Sequence, residues 1–261
     1  MAVEAIFNFL IAYILAFFRL GGLMIAAPVF GSTRVPKRVK LLFALVATIA
    51  MGNVLPPVAD LTPNLATLIF AVGNELVFGL AMGTIVSFTF IAAQWAGEMI
   101  GQQIGFNLSE VFDPQYGQAG SLVGDIYFML TLIVFLSIGG HRMLIDAVHT
   151  SFTTVPLLSL RFDREMFDTF IELFTTATTL AMRLAAPMFF TMLVVDLAMG
   201  CIGKAMPQFN IMSAGVPIRN LLGLGVLVFG LSVSTDTISD SIRNDLNVVV
   251  DYFGRPRPAN G

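Results

Sequence analysis

The sequence predicts an all-α, membrane-associated helical assembly subunit with about six hydrophobic helical segments and a C-terminal helical hairpin. Three observations carry that prediction. Hydrophobic residues make up 56% of the 261 positions and charged residues only 12%, with a mean hydropathy of +0.84, which excludes an ordinary water-soluble core. The apolar residues fall in charge-free stretches at 5–18, 41–59, 76–93, 126–140, 184–195 and 220–235. Finally, glycine recurs at helical spacing at Gly97, Gly101 and Gly105, one step after Ala93, leaving a stripe without side chains where another backbone can approach closely.

The first apolar stretch follows Met1-Ala2-Val3-Glu4, has no basic leader and continues past Arg19 to Phe30. It is expected to be a retained helix rather than a cleaved signal. Pro28, Gly31 and Pro36 bracket a short basic turn, 30–40, before a second helix that ends at Pro56-Pro57. Thr62-Pro63 then supplies an N-cap and a first-turn proline for a third helix, long enough to run past Trp95 into the glycine stripe. Gly79 and Gly83 continue from Glu75 at the same four-residue step, so this helix is expected to pack closely along much of its length, with Gly79, Gly83, Gly97, Gly101 and Gly105 as its partner-packing positions.

Asp113-Pro114 and the glycines at 117, 120 and 124 mark a loop, with Asp125 near the start of the next helix. A break at 154–163 precedes a long helical stretch to Gly203, a turn at Met206-Pro207-Gln208-Phe209-Asn210, and a last helix from about Ser213 to Ser239. These last two helices form the expected hairpin. The polar residues 243–261, ending in Arg255-Pro256-Arg257-Pro258, read as a flexible tail.

Charges inside the apolar stretches are costly. Each is worth roughly 2.5 to 3.5 kcal/mol at mid-membrane, so Arg19, Glu75, Arg183 and Asp196 are expected to be buried as pins between helices or between subunits. Arg183 and Asp196 lie roughly 220° apart around a helix and cannot pair with each other within it. A proton or ion relay is the other reading, but no carboxylate series runs along one helix. Threading six spans through a bilayer leaves equal numbers of Lys and Arg on the two sides, so the positive-inside rule assigns no orientation.

Nothing in the sequence assembles a catalytic centre. His141 and His149, which bracket Asp146, have no third metal ligand at suitable spacing, and Gly223-Leu224-Gly225 lacks the strand and lysine of a phosphate-binding loop. The single Cys201 excludes an internal disulfide framework. No enzyme activity, cofactor, metal or nucleic-acid partner is therefore expected. Phe106 and Phe112, in a polar segment beyond the stripe, either fold back onto the protein or seal a passage at the centre of an assembly. Fourteen methionines are flexible filler suited to either role.

The order of Phe18-Arg19, Pro28-Val29-Phe30-Gly31, Val35-Pro36, Glu75 with Phe78-Gly79, the stripe from Ala96 to Gly105, Phe112-Asp113-Pro114, Pro187 with Asp196, and Met206 to Asn210 leading to Pro217 resembles the FliR family. These are flagellar type III export-gate proteins related to the SctT injectisome subunits. The resemblance implies a non-enzymatic subunit that packs with FliP and FliQ homologues, and with an FlhB homologue, into a channel for unfolded flagellar subunits. It implies a location in the bacterial inner membrane at the flagellar basal body. It also implies a FliP-like part over about 1–168, a FliQ-like hairpin over about 169–242, and a pore plug formed by Phe106, Phe112, Asp113 and Pro114. A virulence secretion gate and, further off, a secondary transporter are the competing readings.

Overall fold

A computed structural model describes residues 2–31, 36–55, 65–106, 121–155, 157, 164–206 and 211–254. The described residues form helices α1 (Ala2–Ala26), α2 (Pro28–Gly31), α3 (Lys37–Ala50), α4 (Leu65–Ile104), α5 (Leu122–Ser137), α6 (Gly140–Thr154), α7 (Arg164–Ala205) and α8 (Ile211–Gly254), with a 3₁₀ turn at Gly52–Val54. Four of them are long and apolar enough to cross a membrane, and the pair α5 and α6, bent by 65°, makes a fifth candidate if it counts as one broken span. The chain is an all-α membrane protein. The span candidates are fewer than the six charge-free stretches, because α3 has only 14 residues and α5 breaks at the bend into α6, whereas α4, α7 and α8 run on through polar residues at their ends.

Local sequence explains several boundaries. The Ser121 side chain accepts a hydrogen bond from the Gly124 amide at 3.3 Å and caps α5, with Asp125 in the first turn where it suits the helix dipole. Between α5 and α6, Gly139 takes a left-handed φ of 74°, a conformation that permits the 65° bend at little steric cost. At the end of α4, Gly105 has φ 99°. The amides of Gly105 and Phe106 bond back to Gln102 O and Gly101 O at 3.1 and 3.0 Å, forming a Schellman cap.

Two expectations are corrected. The basic turn at 30–40 is partly helical: Lys37, Arg38 and Lys40 lie in the first turn of α3. The polar tail expected from 243 is helical as far as Gly254, because Ile238, Ile242, Leu246 and Val249 keep an apolar stripe at helical spacing and are buried. Thr62-Pro63, Phe112-Asp113-Pro114, Pro207 to Asn210 and the Arg-Pro end lie outside the described residues.

The chain divides into two compact units, each discontinuous in sequence. The first comprises residues 1–88, 139–173 and 242–261. In it, Ile11, Ala12, Leu15 and Ala71 form a core cluster joined by Leu55, Leu68, Val72 and Leu157. The second comprises 89–138 and 174–241. Its aromatic centre is Phe90, whose ring lies 5.6 Å from that of Phe128 and 5.7 Å from that of Phe135.

Candidate functional site: helix crossings at glycine and a buried ion pair

In the first unit, α1 and the N-terminal half of α4 run in the same direction and meet along a face of small residues. A Cβ at Gly79 would collide with the backbone carbonyl of Arg19, and one at Gly22 with the backbone of Leu76. At Gly83 it would sit 2.9 Å from both Ala27 N and Leu23 O. One turn further, the Ser87 hydroxyl donates to Ala26 O at 2.6 Å. Glu75, Gly79, Gly83 and Ser87 therefore form one four-residue ladder whose approach only missing or short side chains allow.

At the start of that ladder Arg19 is 1% exposed and Glu75 is equally buried. The Arg19 Nε lies 2.6 Å from Glu75 Oε2, and its Nη1 donates to both the carbonyl and the Oγ of Ser151 on α6 at 3.2 Å. The guanidinium carbon lies 4.1 Å from the ring centre of Phe78 and 4.7 Å from that of Phe152. The plane of the cation is thus covered by aromatic rings while its edge is met by oxygens, which offsets a desolvation cost of several kcal/mol. Three helices are joined at this one cation.

In the second unit the stripe continues against other helices of the same chain. A Cβ at Gly97 would lie 2.6 Å from Val123 O and 2.7 Å from Gly124 Cα, at the N-terminus of α5. Gly101 is buried, and Gly105 serves the helix cap. The partner that the small-residue face was read to need is, at Gly79, Gly83 and Gly97, supplied within the chain. Gly223, which the sequence offered only as part of a failed phosphate loop, receives Ile104: a Cβ there would lie 2.8 Å from Ile104 Cγ1.

The four intramembrane charges separate into two classes. Arg19 and Glu75 are buried and paired. Asp196 pairs with Arg219 across α7 and α8 at 3.2 Å, but their side chains are 43% and 35% exposed, so the single chain gains under about 1 kcal/mol from this contact. Arg183 is exposed. Among the described residues, this chain therefore leaves Arg183 and Asp196 exposed rather than buried as expected. Sequence reasoning missed Arg219, which also donates to Gln103 O at 2.9 and 3.1 Å and so caps the carbonyl end of α4. Its only signal was a lone cation two residues after Pro217 in an apolar run.

Phe106 follows the capped end of α4 and is 37% exposed, while Phe112, Asp113 and Pro114 lie outside the described residues. Among the described residues no three His, Cys, Asp or Glu side chains group as a metal site.

Long apolar helices locked by glycine crossings and one sequestered ion pair define the class: a polytopic α-helical membrane protein. The sequence model of bacterial export proteins, family 1, matches residues 10–244, and the chain belongs to that family. It is 28% identical to the flagellar biosynthetic protein FliR of Bacillus subtilis over 85% of this chain and 86% of that protein. Identity to the FliR of Aquifex aeolicus is also 28%, over 94% and 95%, and to that of Escherichia coli 29%, over 80% of each. The chain is a membrane component of flagellar protein export.

Proposed function

We propose that this chain is a non-enzymatic wall subunit of the flagellar export gate, packing with FliP and FliQ homologues and an FlhB homologue around a channel for unfolded flagellar subunits. It would reside in the inner membrane at the flagellar basal body. One observation carries the reading. Only 17% of the apolar window of α7 and 22% of that of α8 are buried, against 67% for α4. At 42 residues α7 extends about 63 Å, roughly twice the hydrocarbon thickness of a bilayer, and its exposed apolar residues run from Phe167 to Ile202. Lipid can cover no more than about half of that length, so protein neighbours cover the rest.

In this reading α7 and α8 form the FliQ-like hairpin of residues 169–242, and residues 1–168 form the FliP-like part. The Schellman cap at Gly105 anchors the start of the plug at Phe106, and Phe112, Asp113 and Pro114 complete it. Substrate displaces the plug during export, and the bulky rings reseal the channel afterwards.

Deleting the gene is expected to abolish motility and the release of hook and filament proteins into the medium, with both restored by the wild-type gene. A motile deletion strain that instead fails to deliver effector proteins would assign the chain to a virulence gate.

A further inference from the structure

Within the second unit, a groove of about 110 Å³ lies between α7 and α8. Its sides include Arg183 and Pro187 on α7 and Gly230 and Val233 on α8, and the buried residues Ile100 and Tyr127 close its base. Two features on one turn of α7 leave polar groups poorly satisfied there. Among the described residues the Arg183 guanidinium makes no ion pair or hydrogen bond. The Arg183 backbone carbonyl also loses its usual donor one turn on, because Pro187 has no N–H.

We propose that this groove seats an apolar helix of a neighbouring export subunit, and that a carboxylate on that helix pairs with Arg183. The inference rests on the export-gate reading and adds the chemistry of the contact. Arg183 is the only charge in the stretch 173–195, and at roughly 1.5 Å per residue it stands about 15 Å or more from either end. If that stretch lies in hydrocarbon, Arg183 is near the centre, out of reach of lipid phosphates, and an unpaired cation there is strongly disfavoured. If it lies outside the bilayer, no headgroup is present and the apolar walls still require cover. In both settings an acidic side chain carried in on an apolar helix matches the groove.

The test uses the full complex purified from membranes. Arg183→Glu is expected to reduce copurifying FliP and FliQ homologues by more than about tenfold, while Arg183→Lys retains them within about threefold, since like charges facing each other at an interface cost several kcal/mol. Arg183 is exposed in the single chain, so the exchange leaves its own core intact. As a second measurement, benzoylphenylalanine replacing Val233 is photoactivated in the otherwise wild-type complex. The expected adduct is an apolar peptide of another export subunit containing Asp or Glu.

An adduct with phospholipid, or only with this chain, overturns the proposal, as does wild-type copurification of the Arg183→Glu variant. Those results leave the export-gate reading standing. Failure of the wild-type chain itself to copurify with either homologue removes that reading and this inference together.

Discussion

Replacing Glu75 by alanine is expected to destabilise the folded chain by about 3–5 kcal/mol, because it leaves the Arg19 cation buried without its counter-charge. The aromatic rings of Phe78 and Phe152 and the two Ser151 oxygens remain, but they do not neutralise the charge. Truncation of Arg19 to alanine should cost a similar amount, through the orphaned carboxylate and the cavity between the two rings. The joint replacement of Arg19 and Glu75 by methionine should recover most of the loss, since a well-packed apolar pair avoids the desolvation cost altogether. Thermal unfolding of the chain within the complex purified in detergent with its FliP and FliQ homologues, together with its steady-state level in membranes, measures all three. A Glu75→Ala variant with wild-type unfolding would show that the pair does not hold α1, α4 and α6 together.

The second large effect is expected at Gly79. A leucine there must displace the backbone of α1, since even its Cβ falls 2.8 Å from the Arg19 carbonyl carbon and 2.9 Å from Leu23 N. Backbone atoms cannot move aside as a flexible side chain does, so the cost should reach or exceed the roughly 3 kcal/mol at the upper end of ordinary overpacking. Gly73 on the same helix provides the control. Among the described residues a Cβ at Gly73 has nothing within 4 Å, so alanine there should raise stability by about 0.5–1 kcal/mol through helix propensity alone. Protein level and unfolding temperature of Gly79→Leu and Gly73→Ala, compared side by side, separate a crossing point from a spacer. Equal behaviour of the two would remove the close crossing of α1 and α4.

How far the sequence could be read depends on the range of the physics involved. Helices and their caps are local, so the length of α4 and the start of α5 at Ser121 to Asp125 follow from neighbouring residues. The sequence suggests too early an end for α8 because Asp240, Arg243, Asn244 and Asp245 mask an apolar spacing that only Ile238, Ile242, Leu246 and Val249 reveal. The need for partners at Arg19 and Glu75 was visible as isolated charges in apolar runs. That they pair with each other depends on α1 and α4 running side by side in one direction, a non-local fact with no sequence period. The glycine ladder posed the same difficulty: spacing shows that a backbone approaches, but not that it belongs to the same chain. Arg183 and Asp196 mark the reverse case, where the need for burial is plain in the sequence and this chain alone does not meet it.

If α7 and α8 are covered by other subunits, as proposed, purification shows it most directly. Expressed alone, the chain is expected to aggregate or elute as a polydisperse species in detergent, whereas coexpression with FliP and FliQ homologues should yield a single stable complex containing all three. A monodisperse, stable monomer that gains nothing from coexpression and associates with neither homologue would contradict the account.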